Sequence, residues 1–257
     1  MSRSKVRNLL LLKQIHSAVA QIRKGKLDKA LETLDKAEDS ARKAKSTDAL
    51  YYILFMRGGI LYTESKYDEA LEIYKKALDA GSELLKADPE NIDYQHYMGT
   101  TLSNIGNLLK KKGENPQAAE YYIRARETYL NLLAKEPENV VFRSYAGENL
   151  NNYAALLKDM GSFEEACEVL RQAIELYKKL LEEKPDNLSY QAELAVALSQ
   201  LGNCIILQGP EKCDAAKLDL ERALNMQENI LAQQPENGNI KEAIALTRER
   251  LEKLEKP

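Results

Sequence analysis

Tryptophan is absent from this 257-residue sequence and phenylalanine occurs three times, so its 14 tyrosines must supply most of the aromatic packing. Cysteine is nearly as scarce. Cys167, Cys204 and Cys213 include no Cys-x-x-Cys pair and no even framework. They read as reduced, partly buried thiols of a cytoplasmic protein, not as a disulfide scaffold or a zinc site. Long apolar runs are missing too. The run Leu9 to Leu12 is ended by Lys13, which is too short for a secretion-signal core or a membrane span, so neither is expected. Breakers are few, with 12 glycines and seven prolines. In a chain dominated by Ala, Leu, Glu and Lys, that favours helix. The net charge of −3 excludes no class of partner, but residues 1–45 hold 12 basic against five acidic side chains and the rest is acidic overall. That asymmetry can steer an acidic partner to one end, or it can be a solvated basic surface. Arg3, Lys5, Arg7 and Lys13 lack interleaved aromatics, so no nucleic-acid partner is expected.

What the sequence has is a period. Pro89-Glu90-Asn91 returns as Pro137-Glu138-Asn139, Pro185-Asp186-Asn187 and Pro235-Glu236-Asn237, at steps of 48, 48 and 50 residues. A period of this size belongs to stacked repeats, in which each unit packs on its neighbours. In the third unit Asn91 suits a helix N-cap, and a first helix is expected from there to about Lys112. Gly113-Glu-Asn-Pro116 is a turn, and a second helix runs to about Lys135, where Pro137 stops it. The other units align, with turns at Gly25, Ser65, Gly161 and Gly209. On the second helix Ala30, Ala70, Ala118, Ala166 and Ala216 are each followed four residues on by Leu34, Tyr74, Tyr122, Leu170 or Leu220. Three further comes Ala again, at 37, 77, 125, 173 and 223. On the first helix a small residue recurs at Ala18, Gly58, Gly106, Ala154 and Gly202. Spacings of three, four and seven share one helical face. Small residues there let two helix backbones approach, and the large neighbour fills the space beside them.

These positions resemble the tetratricopeptide repeat (TPR) family. Unit three offers Leu102, Ile105-Gly106, Leu109, Ala118, Tyr122, Ala125 and Pro137, and unit two Leu54, Gly58, Leu61, Tyr67, Ala70, Tyr74 and Ala77. The resemblance covers about residues 7–234. The family period is about 34 residues, and the longer units here add roughly a heptad to the front of the first helix and another to the back of the second. A heptad is nearly two turns, so the apolar stripe stays on its face. The resemblance implies an all-α, right-handed α-solenoid of about five helix hairpins plus a capping helix, some eleven helices. The whole chain is expected to form one such array, with units at about 5–45, 47–88, 91–136, 139–184 and 187–234 and the cap at 238–255.

No catalytic or metal-binding constellation is present. His16 and His96 fall in different units, Gly58-Gly59 lies inside a helix where no phosphate loop can form, and acidic pairs sit at solvating spacings. No enzyme activity, cofactor or metal is expected. In the family's geometry the first helices line a concave groove, and positions two before and one after the small residue face it. That places Asn104 and Asn107, then Asn152 with Asn151 adjacent, then Gln200 and Asn203, as an amide ladder. An amide offers donor and acceptor together, so the resemblance implies a grip on an extended peptide backbone. Lys110, Lys111 and Lys158 lie further along and could meet a carboxylate. His16, Val19, Tyr52, Phe55, Met56 and Tyr62 make the groove of the first two units more apolar, and Tyr52, Phe55 and Tyr62 are its candidate anchors. The same amides also fit a solvated face copied by duplication, and the sequence does not choose. The function expected is a non-catalytic module that binds a peptide segment of a partner protein. A self-associating scaffold and a regulatory sensor acting on a partner enzyme are the alternatives.

Overall fold

The computed structural model describes residues 3–209 and 213–255. The side chains of Arg3, Lys5, Arg7 and Cys213, and residues 210–212, lie outside the described residues. Among the described residues there are eleven α-helices and no strand. The fold is all-α and of the α-solenoid class. The chain forms two compact units, Met1–Tyr121 and Tyr122–Pro257. The first holds α1 (Arg3–Arg23), α2 (Leu27–Ala44), α3 (Thr47–Thr63), α4 (Tyr67–Ala87) and α5 (Ile92–Lys111). The unit boundary falls within α6 (Asn115–Lys135). The second unit continues with α7 (Val140–Asp159), α8 (Phe163–Glu183), α9 (Leu188–Gln208), α10 (Cys213–Gln233) and α11 (Gly238–Glu255).

The recurring Pro-acid-Asn tripeptide builds helix starts. Asn91 accepts from the Tyr94 amide at 3.1 Å, Asn139 from those of Val141 and Phe142, Asn187 from that of Tyr190 and Asn237 from that of Ile240. Each such cap is worth about 1 kcal/mol. A second device recurs with it. Six residues past the proline, a side chain reaches back to the proline carbonyl: Gln95 to Pro89 at 2.6 Å, Arg143 to Pro137 at 2.7 Å, and Gln191 to Pro185 at 2.7 Å. Arg143 does more than the glutamines. It is buried and also pairs with Glu138 at 3.1 Å and with Glu183 at the end of α8.

The turn within each hairpin uses a left-handed residue. Gly25, Gly113, Gly161 and Gly209 have positive φ, and Ser65 adopts φ 60° at the matching place without being glycine. The alanines of the repeat are fully buried at 30, 70, 118, 166 and 216, and again at 37, 77, 125, 173 and 223. The small residues of the first helix mark the close crossings. A β-carbon on Gly58 would lie 2.8 Å from the Tyr74 ring, and one on Gly202 would lie 2.7 Å from Leu220 Cγ.

One heptad away from these crossings the bulk is exchanged between partners. In the first unit Tyr51 on α3 is large and Gly81 on α4 is small, with a β-carbon on Gly81 reaching Met98 and, at 3.1 Å, Tyr51. In the second unit the matching places are Gly147 on α7 and Tyr177 on α8. The final helix closes the second unit with Ile240, Ile244 and Thr247 inward. Thr247 meets Ser199 at 2.9 Å, and Arg250 donates to the Ser199 hydroxyl and carbonyl at 2.6 and 3.1 Å.

Candidate functional site

In the first unit the expected groove residues lie on α3 and α5. Asn104 is half-buried and donates to the Tyr74 hydroxyl at 3.3 Å, so part of its capacity is spent within the protein. Asn107 and Lys110 are also engaged within the chain, and Lys111 is exposed. The aromatic residues form one chain of ring contacts. Tyr52, 39% exposed, meets Tyr97 edge-on at 6.5 Å, and Tyr97 stacks on Tyr51 at 5.9 Å. Tyr51 stacks on Phe55 at 6.3 Å, and Phe55 meets Tyr74 at 5.8 Å. Tyr62 stands apart, tilted against Tyr67. The Tyr51 hydroxyl donates to the Tyr97 carbonyl at 2.6 Å. Burial holds the Tyr51 and Tyr74 phenols above their ordinary range, so both remain neutral.

Beside these rings opens a cleft of about 930 Å³, lined in part by Leu11, Leu12 and Ile15 of α1, Tyr52 of α3, and Tyr94 and Tyr97 of α5. Leu12 and Tyr52 lie seven positions before Val19 and Gly59, the groove positions one past the small crossing residues Ala18 and Gly58, and seven residues is close to two turns. Tyr97 precedes Asn104 by seven, and so shares its face. Tyr97 thus lies one heptad before the amide position on its helix.

In the second unit the expected residues lie on α7 and α9, which adjoin. They divide into two groups. Asn151 is buried, and its amide donates to the Glu193 carbonyl at 3.3 Å and carboxylate at 3.1 Å, which ties α7 to α9. Lys158 lies 3.5 Å from Asp159. By contrast Asn152, Gln200 and Asn203 are half-buried, and none makes a side-chain hydrogen bond to another described residue. Gln200 Oε1 is covered and has no donor. An acceptor left in that state costs about 1–3 kcal/mol unless something supplies the missing bond. These three side chains therefore hold unspent donors and acceptors, positioned by two regular helices.

Among the described residues no group of histidine, cysteine and acidic side chains could hold a metal ion, and no helix is long and apolar enough to cross a membrane.

Two family models described as tetratricopeptide repeat match the chain, one at residues 99–136 and 150–187 and the other at 17–84, together more than half of its length. The chain belongs to the tetratricopeptide repeat family. No curated protein matches it. Among solved structures it is similar to nearly identical TPR-like repeats from Podosopora anserina (20% identity, 85% of this chain and 95% of that one, TM-score 0.57). It is also similar to BtubC from P. vanneervenii (20%, 95% and 89%, TM-score 0.56) and to the apo form of RapI (14%, 100% and 87%, TM-score 0.60). At these identities the likeness concerns the fold. Tetratricopeptide repeats are protein-interaction modules, and that is the class to which this chain belongs.

Proposed function

We propose that the protein is a non-catalytic module that holds an extended segment of a partner protein against the first helices of its repeats. The observation that carries this is the set of three amides, Asn152, Gln200 and Asn203, whose hydrogen-bonding capacity is unused on adjoining α7 and α9. A peptide backbone presents alternating donors and acceptors, and amide side chains can pair with both, whatever the sequence of the segment. The first unit has a cleft of its own beside Tyr52 and Tyr97, an apolar wall suited to an anchoring side chain.

The test is a peptide array probed with the wild-type protein and with Asn152→Ala/Asn203→Ala. The double variant is expected to lose most array signal while its thermal midpoint stays unchanged, because neither side chain is tied to the fold. Equal signal from both proteins rejects the amide assignment. A second reading, self-association, is favoured by Leu9, Leu10 and Leu12, large apolar side chains left exposed on α1. Sedimentation over a concentration series separates the two, since a strict monomer at high concentration removes it.

A further inference from the structure

A second cavity lies on the opposite side of α7. It has a volume of about 410 Å³ and sits between the two second helices α6 and α8, with Ala146 and Leu150 of α7 as its floor. On a helix with 3.6 residues per turn, Ala146 and Leu150 point roughly opposite to Asn152 and Ala155. This valley is therefore a different surface from the amide stripe, and every residue lining it falls within Tyr122–Pro257. Leu130 and Leu133 form one wall. Both belong to the added heptad at the end of the second helix, so the cavity is partly a product of helices longer than the family's usual length.

Its rim carries positive charge that the protein does not neutralise. Arg126 donates to the neutral amide of Gln172 at 2.9 Å, and its Nε is covered and has no acceptor. Arg171 is exposed on the rim. Neither guanidinium takes part in an ion pair among the described residues. The one carboxylate on the rim, Glu175, is paired with Lys178 at 2.8 Å. Asp219, which feels the charge of Arg171, lies 4.0 Å from Arg222. An apolar floor under two uncompensated guanidiniums selects for a ligand that is apolar at its tip and anionic beside it.

We propose that this valley is a second docking site, for an acidic segment of a partner protein. The segment plants one bulky apolar side chain on Leu130, Leu133 and Leu150 and sets an adjoining carboxylate against Arg126 and Arg171. The site does not depend on the amide stripe, so the protein can engage two segments from its two sides.

The test uses fluorescein-labelled peptides with a central phenylalanine flanked by aspartate and glutamate. The controls are the same peptide with alanine at the centre and one with lysine flanks. Anisotropy is read with the wild-type protein, Leu130→Glu, Arg171→Glu and Asn152→Ala/Asn203→Ala. The acidic phenylalanine peptide is expected to bind, more weakly as salt rises. The alanine centre should weaken it at least tenfold, and the lysine flanks should abolish binding. Leu130→Glu and Arg171→Glu alter exposed side chains, so both should remove binding with an unchanged thermal midpoint. The amide double variant should bind as the wild type does. Several results overturn the proposal: no binding of the acidic peptide at millimolar concentration, equal binding of the lysine-flanked peptide, insensitivity to Leu130→Glu, or loss in the amide double variant. A dimer that Leu130→Glu dissolves would make the occupant a second copy of this chain, and would overturn it as well.

Discussion

Tyr177 fills the space that Gly147 leaves open: a β-carbon on Gly147 would lie 2.7 Å from Tyr177 Cζ. Carbon atoms prefer a separation of about 3.5–4.0 Å, and Tyr177, 1% exposed, has no room to withdraw. Ordinary helix propensity would favour alanine here by about 1 kcal/mol. Overpacking a closed core costs about 1–3 kcal/mol, so the clash should win. Gly147→Ala is expected to destabilise the protein by up to about 2 kcal/mol in chemical denaturation. Gly59 gives the opposite case. Its β-carbon would meet only the Tyr74 hydroxyl at 3.5 Å, an ordinary contact. Gly59→Ala should therefore stabilise by up to about 1 kcal/mol. The same sign for both substitutions would refute this account of the crossings.

Ser65 holds a left-handed conformation at the turn where the other four repeats use glycine. An L-residue pays about 1–2 kcal/mol for that conformation, and its side chain recovers little, since the Tyr67 hydroxyl approaches only to 3.4 Å. Glycine gives back part of the gain through its freer unfolded chain. Ser65→Gly is expected to raise stability by about 0.5–1 kcal/mol, read as a shift in the denaturation midpoint with an unchanged slope.

Cys167 and Cys204 are both buried thiols that are not joined in a disulfide. Burial, and then the neighbouring Cys167, push the Cys204 thiol up to about 12. A thiol in that state holds almost no thiolate at neutral pH and does not attack alkylating reagents. In a Cys213→Ser background, iodoacetamide at pH 8 should label neither cysteine in the folded protein and both in urea. Fast labelling of the folded protein would contradict the packing of α8 on α9.

His96 on α5 is half-buried, and burial lowers its pKa below the ordinary 6.5, with Asp93 acting the other way. The unfolded chain then binds a proton at a pH where the folded chain does not. Stability from this group is full above pH 6.5 and is lost as pH falls through the lower folded value. The thermal midpoint of the wild type should fall more steeply from pH 7 to pH 5 than that of His96→Gln. Parallel curves would show that His96 does not contribute.

Much of this architecture was readable because it depends on neighbours in sequence. Asn91, Asn139 and Asn187 act as caps within their own first turns, and the turn residues at 25, 65, 113, 161 and 209 bend the chain locally. The buried alanines follow from helical spacing alone. What escaped the sequence is which amides are already spoken for. Asn104 is taken by Tyr74, 30 residues earlier, and Asn151 by Glu193, 42 residues later. Asn151 and Asn152 are adjacent and chemically identical, and one turns inward while the other does not. Helix periodicity resolves a face, but it cannot show which distant partner waits there. The valley between α6 and α8 was hidden for the same reason, because its walls come from three helices.

The exchange of bulk between Tyr51/Gly81 and Gly147/Tyr177 limits how these repeats can be recombined. Transplanting α8 in place of α4 would set two tyrosines face to face, and the reverse graft would set two glycines across a void. Copies that began alike have become keyed to their own partners, so the order of hairpins is written into the core itself.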